Sequence, residues 1–174
     1  MTDAARPRFA EALVAPSATP DYPGRMRRFG QLVGSWAAKG HRLNEETGDW
    51  AERDFVWMVE FVLDGRAVQD VEIVPSETHP SGYETIATAL RVYDPYAGLW
   101  RVSYVAPTMG EYCHLVATPY RNGLRQDGTR TDGHLIRWNF TSITADAYTW
   151  EGWMSADDGS TWTMVEHNEA TRIR

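Results

Sequence analysis

The chain has 174 residues, 43% of them hydrophobic, which is one domain's length with enough apolar surface for a core and excludes a disordered chain. Lys and Arg number 17 against 24 Asp and Glu, and the net charge of −7 argues against nucleic acid, whose phosphates call for a basic face. The single cysteine, Cys113, excludes an internal disulfide and any multi-cysteine zinc site, while 8 Trp and 8 Tyr mark the chain as rich in large flat side chains.

At the N-terminus, MTDAARPRFAEALVAP scatters charges where a signal peptide has an apolar stretch of ~7–15 residues. No run approaches the ~18 apolar residues of a membrane span. A cytoplasmic protein with no membrane partner is expected, and a lone free thiol suits that compartment. Residues 1–33 read as helical segments that pack on or cap the remainder of the chain. Pro7 can open a short helix carrying Phe9 and Leu13, and Pro16, Pro20 and Pro23 punctuate a linker. A second helix from Gly24 to Val33 puts Met26, Phe29, Leu32 and Val33 on one face, with Arg25, Arg27 and Arg28 opposite. Such a helix plugs or covers something apolar.

Residues 34–174 read as strands and turns. Strands are expected at Trp36–Leu43, Trp50–Leu63, Ala67–Val74, Tyr83–Tyr93, Leu99–Val105, Glu111–Thr118, Gly123–Gln126, His134–Ser142, Tyr148–Met154 and Thr161–Thr171. Turn signals separate them, among them Leu63-Asp64-Gly65-Arg66, Asp94-Pro95-Tyr96-Ala97-Gly98 and Asp157-Asp158-Gly159-Ser160. About nine or ten short strands with no helix between them make an antiparallel meander, and closing it into an up-and-down barrel removes the exposed edges. Barrels of this size commonly hold one small ligand.

Alternation groups the side chains by face without saying which face is inside. Phe55, Trp57, Val59 and Phe61 oppose Val56, Met58, Glu60 and Val62, so this strand is apolar on both sides. The N-terminal helices or a second subunit would cover the outer side, and a homodimer is expected on that ground. Trp100, Val102 and Tyr104 share a face, as do Ile136, Trp138 and Phe140, and Tyr148, Trp150 and Met154. Val68, Asp70, Glu72 and Val74 oppose Gln69, Val71 and Ile73. If the first set is interior, Asp70 and Glu72 stand together in an aromatic cavity, where a desolvated carboxylate can trade protons near neutral pH. If Gln69 is interior, the cavity is less acidic and binding is favoured over chemistry.

The carboxylates Glu60, Asp70, Glu72 and Glu84 fall on adjacent strands, and each either faces water or lines a cavity. Of the histidines, His114 and His167 lie mid-strand, where such a residue is a hydrogen-bonded wall group or, turned inward, an acid or base. No His-x-His or His-Glu-x-x-His spacing is present, and no metal is expected. Cys113 and His114 are neighbours on a strand and point to opposite faces, so they cannot pair, and Cys113 reads as a small buried hydrophobe. There is no Gly-x-Ser-x-Gly elbow and no phosphate-binding glycine loop.

Gly34-Ser35-Trp36 at the first strand, Phe61 to Val71 around the turn Asp64-Gly65-Arg66, Arg91-Val92-Tyr93-Asp94-Pro95 before Trp100-Arg101-Val102, and Ile136 to Thr141 before the final Trp-rich hairpin together resemble a family of small bacterial lipocalin-like (calycin-type) barrel proteins, mostly of unknown function. The resemblance spans residues 24 to 170 and implies a closed barrel with an internal cavity and a helix near one mouth. It implies no particular reaction. The chain departs from the family pattern in having Glu60 where small or aromatic residues are usual and Glu72 where an aromatic is usual. Nitrobindin-like calycins bind haem through a late-strand histidine, and His167 is late, but Gly34-Ser35-Trp36-Ala37-Ala38-Lys39-Gly40 departs from their Gly-x-Trp-x-Gly-x-Gly pattern.

Two functions lead. One is a cofactor-free cyclase or isomerase acting on a hydrophobic small molecule, with Asp70, Glu72, Glu60 and His114 as the proton-transfer set and Trp57, Gln69, Tyr104, Tyr112, Trp138, Trp150 and His167 shaping the substrate. The other is a non-catalytic carrier of an apolar ligand. Haem binding ranks third.

Overall fold

The computed structural model describes residues 7–121 and 123–174. A five-residue helix α1 (Phe9–Leu13), a two-residue strand β1 (Val14–Ala15) and helix α2 (Pro23–Gly30) precede ten long strands. These are β2 (Gly34–Leu43), β3 (Trp50–Val62), β4 (Ala67–Pro75), β5 (Tyr83–Asp94), β6 (Leu99–Ala106), β7 (Glu111–Tyr120), β8 (Gly123–Thr129), β9 (Leu135–Ile143), β10 (Ala147–Ser155) and β11 (Thr163–Arg172). A 3-10 turn, Pro107–Met109, sits between β6 and β7.

Each long strand pairs antiparallel with the next, and β11 returns to β2 with Asn168 opposite Gly40 and Ala170 opposite Ala38. The result is a closed ten-stranded antiparallel up-and-down barrel, lipocalin-like in fold. Closure follows from the meander itself, since it leaves no unpaired long edge. The inward face alternates along every strand: Trp36, Ala38 and Gly40 on β2, Phe55, Trp57 and Val59 on β3, Val102 on β6, Leu115 and Ala117 on β7, all buried.

One end of the barrel is plugged. Pro23 occupies the first turn of α2, where its missing N–H costs nothing. Met26, Phe29 and Leu32 are fully buried, and the Phe29 ring meets Trp100 edge-on at 4.9 Å between centroids. The arginines of α2 lie on the other side, Arg25 within 5.9 Å of the Tyr93 ring centre.

The Gly-x-Trp segment has a physical reason here. Trp36 donates its indole N–H to the Leu32 carbonyl at 2.8 Å, joining the barrel wall to the plug. Arg172, the last residue of β11, stacks on the Trp36 ring at 4.0 Å and donates to the Val33, Gln31 and Ala145 carbonyls at 2.7, 3.1 and 2.6 Å. Gly34 has φ +130°, a backbone conformation that residues with a side chain rarely adopt, and a Cβ there would also meet the Arg172 guanidinium at 2.4 Å.

The N-terminal segment packs against the plug end of β3. The cover comes in part from β1, which pairs Val14 with Val62 and Ala15 with Phe61. On α2, Gly30 sits so close to the Phe61 ring that a Cβ would approach it to 2.8 Å. Met58 and Glu60 remain exposed on the outer face. Helix α1 is short as expected but opens at Phe9 rather than at Pro7, with Arg8 as its N-cap, and Phe9 is exposed. The final turn is also longer than a two-residue Asp-Gly hairpin: Asp157 accepts from the Thr161 N–H and hydroxyl at 2.8 and 2.7 Å, an Asx-type knot that satisfies the loop's backbone.

Candidate functional site

The end opposite α2 is the end where β2 hands over to β3, β4 to β5 and β10 to β11. Below this mouth lies a cavity of about 60 Å³. Its walls are aromatic: Phe55 and Trp57 from β3, Tyr104 from β6, Trp138 and Phe140 from β9, Tyr148 and Trp150 from β10. They brace one another, Tyr104 edge-on to Trp138 at 5.1 Å, Trp138 tilted against Trp150 at 5.7 Å, and Trp57 stacked on Phe140 at 5.9 Å. Such contacts hold ring orientations beyond what area burial alone would fix.

Four carboxylates line the same space: Asp70, Glu72, Glu111 and Glu166. Asp70 is buried at the side nearest the plug, where it accepts from the Ala89 N–H at 2.7 Å and pairs with the equally buried Arg91. Arg91 in turn lies against the rings of Phe29 and Trp57, 5.3 and 5.7 Å from their centres. Nearer the mouth, one nitrogen of Arg53 is shared between Glu72 at 3.2 Å and Glu166 at 3.4 Å. Arg42 pairs with Glu111 and reaches the Met109 sulfur at 3.0 Å.

The two glutamates that share Arg53 are electrostatically unusual. Burial pushes the Glu72 carboxyl up to about 8, Arg53 draws it down, and Glu166 adds to the rise. Burial raises Glu166 as well, against the pull of Arg53 and Arg42. Glu72 therefore carries a proton at neutral pH. Burial and the nearby Glu72 also raise Tyr104 and Tyr148 above the ordinary phenol range, so both stay protonated. At Arg42 burial opposes the charge, and Glu111 and Glu166 outweigh it.

The sheet is irregular where these groups stand. Its register shifts between Glu72 and Ile73, between Thr149 and Trp150, and between Gly152 and Trp153, the last opposite Glu166. A bulge re-aims the neighbouring side chains, and bulges recur beside functional sites.

Of the residues singled out from the sequence, Asp70, Glu72, Trp57, Tyr104, Trp138 and Trp150 line this cavity. Glu60, Gln69, Tyr112, His114 and His167 do not, and their placement in the site is corrected. Each is one residue out of phase with an inward neighbour: Glu60 follows Val59, Gln69 precedes Asp70, Tyr112 and His114 flank buried Cys113, and His167 lies between Glu166 and Asn168. Gln69 instead donates to the Thr88 hydroxyl at 3.1 Å, and His167 faces His41 at 6.4 Å between rings. Glu84 is exposed. No histidine lines the cavity, so His167 has no geometry for an axial haem ligand, and among the described residues no cluster of His, Cys, Asp and Glu is set to hold a metal. Cys113 is buried, and burial pushes its thiol up to about 11, which makes it an inert core residue.

The sequence reading missed Arg42, Arg53, Arg91, Glu111, Glu166 and Asn168. The signal was present for β5 and β11, where Ala87, Ala89 and Arg91 set one charged group among small residues on a single face, and Glu166, Asn168 and Ala170 set two polar groups beside a small one. Gln126 is fully buried with both amide atoms unpartnered, and Asn168 is buried with its Oδ1 unpartnered.

No family model matches the chain, and no curated protein matches it significantly in sequence. Among solved structures, it is similar to Rv2717c from M. tuberculosis, with a TM-score of 0.58 and 14% identity over 91% of this chain and 100% of that one. It also aligns with the S-type phycobiliprotein lyase CPES from Guillardia theta, with a TM-score of 0.48 and 11% identity over 89% and 99% of the two chains. No described helix is long and apolar enough to cross a membrane. What the chain shares with Rv2717c is the fold, a lipocalin-like antiparallel barrel.

Proposed function

We propose that the open half of the barrel binds a compact organic molecule and that Glu72 exchanges a proton with it, as a cofactor-free isomerase or cyclase would require. The observation that carries this reading is Glu72 itself: a carboxyl in an aromatic-walled cavity, next to the mouth, whose proton is held up to about pH 8. Tyr104 lies among the same walls and offers a protonated phenol beside it. The rings of Trp57, Trp138 and Trp150 supply flat surfaces that orient a small conjugated body, and orientation accounts for much of what a cofactor-free site can contribute. Asp70 has a different part. Its carboxylate is committed to Arg91 and the Ala89 N–H, so it fixes the floor and moves no proton.

A non-catalytic carrier is the second reading. It is favoured by the contact of every lining carboxylate with a guanidinium, an arrangement suited to holding a ligand still.

The test is to incubate the purified protein with a small-molecule extract in D₂O, recover what native mass spectrometry shows bound, and compare wild type with Glu72→Gln. The proton-transfer reading expects a bound compound that gains deuterium or isomerises with wild type and is bound but unchanged with the variant. A compound bound and unchanged by both leaves the carrier. No bound compound with either protein removes both.

A further inference from the structure

We propose that the ligand of this cavity is a cation, a compact amine, amidine or guanidine carried on a flat apolar body. The inference rests on the reading of the barrel interior as a small-molecule site and names the chemical class that site takes. Charge balance carries it. Of the lining residues, Asp70, Glu72, Glu111 and Glu166 are acids and only Arg91 is basic, and the Arg91 charge is already met by Asp70. Arg42 and Arg53 enter from the flank, Arg42 pairing with Glu111 and Arg53 shared between two carboxylates at 3.2 and 3.4 Å. The Glu72–Glu166 pair thus has one guanidinium for two carboxyl groups, and the proton on Glu72 makes up the difference. A cation placed between that pair and the ring faces would take the place of that proton.

The walls agree with the charge count. Trp57, Tyr104, Trp138 and Trp150 surround the space, and an aromatic face attracts a cation through its quadrupole, Trp most strongly. Asn168, buried beside Glu166, donates to its Oε1 at 3.4 Å and so helps hold that carboxylate in its charged form. An anionic ligand would meet four acidic side chains, and a neutral one would not displace the Glu72 proton.

The protonated state of Glu72 gives the proposal a second signature. The charged and titratable groups around it are Arg53 on β3, Asp70 on its own strand, Arg91 on β5, Tyr104 on β6, Tyr148 on β10 and Glu166 on β11, with Glu111 on β7 and Arg42 on β2 at the mouth. By itself the pair leaves Glu72 neutral, because Arg53 cannot serve two carboxylates. An entering cation lowers its proton affinity, so the proton leaves to solvent and Glu72 becomes a carboxylate beside the ligand. Binding of the cation then creates the base.

Benzamidine, benzamide and benzoate share one planar outline and differ in charge, and they serve as probes in titration calorimetry and tryptophan fluorescence on the whole chain. Benzamidine is expected to bind at least about ten-fold more tightly than benzamide, with no benzoate binding. Calorimetry at pH 7 in two buffers of different ionisation enthalpy is expected to show about one proton released per benzamidine, and affinity should rise about ten-fold per pH unit from pH 6 toward 8. Glu166→Gln should weaken benzamidine about ten-fold and leave benzamide unchanged. The pH dependence on wild type needs no variant and stands if that variant folds poorly. Benzamide equal to benzamidine, or benzoate tighter than either, overturns the cation while the small-molecule site survives. No binding by any of the three overturns the cation and counts against the site as well.

Discussion

Glu72 and Asp70 stand two residues apart on one face of β4, yet their surroundings give them opposite roles. Asp70 is paired and hydrogen-bonded, so Asp70→Asn should strand the buried Arg91 charge and cost about 3–5 kcal/mol, read by urea unfolding. Glu72 has the reverse signature. Its carboxyl sits at about 8 in the folded protein against an ordinary value of 4.5. Between those values the folded state holds a proton that the unfolded chain releases, so stability contributed by this group is fully present below the ordinary value and is lost as pH rises toward 8, by at most about 1.4 kcal/mol per pH unit. Glu166 is raised by burial as well and adds in the same sense. Glu72→Gln should therefore flatten the decline, matching wild type near pH 5 and exceeding it in stability above pH 8, as unfolding curves at the two pH values would show. Equal slopes for the two proteins would mean that Glu72 is ionised throughout.

The elements that hold the site are the plug and the turns at its end. Phe29 on α2 fills the barrel between Trp100, Phe140 and Arg91, so Phe29→Ala should cost about 3–5 kcal/mol by thermal or urea unfolding. Because Arg91 lies on Phe29, the same substitution should also loosen the cavity floor and weaken any ligand. Gly65 closes the β3–β4 turn at φ +75°, and a Cβ there would lie 2.2 Å from the Ser17 carbonyl. Gly65→Ala is expected to be destabilising and to release the linker, which is tied there by the Thr19 N–H to the Gly65 carbonyl at 3.0 Å. Limited proteolysis between β1 and α2 checks it: unchanged cleavage would show the turn and linker to be independent.

Across the molecule, the mouth is bridged by side chains from hairpins far apart in sequence. Arg130, in the β8–β9 loop, binds Glu45 of the β2–β3 loop at 2.5 and 3.1 Å and Asp132 at 2.6 Å, while Arg42 of β2 binds Glu111 of β7. The Asp132 carboxyl is held well below the carboxylate range by Arg130, so this bridge persists at all working pH. Its partly solvated position at the rim limits its worth for stability to about 1 kcal/mol. Its effect should fall on access instead: Arg130→Ala should speed both entry and exit of benzamidine in stopped-flow tryptophan fluorescence, with a small change in affinity.

The strand and turn pattern was written locally, by period-two alternation and by turn residues, and so the ten strands, the helix that plugs them and the direct strand-to-strand connections could be read from the chain alone. Alternation also grouped Asp70 with Glu72 and Trp57 with Phe55 and Val59. It could not say which group faces inward, because that depends on how the closed sheet curves, and both faces of β3 are apolar. Curvature turned Asp70 and Glu72 in and Gln69, Tyr112, His114 and His167 out. Nor could local pattern bring Arg53 between Glu72 and Glu166, residues separated by most of the chain and joined only by the β11–β2 closure. The net charge of −7 is a property of the whole chain; the pair of carboxyl groups sharing one guanidinium beside the aromatic walls exists only where three strands meet.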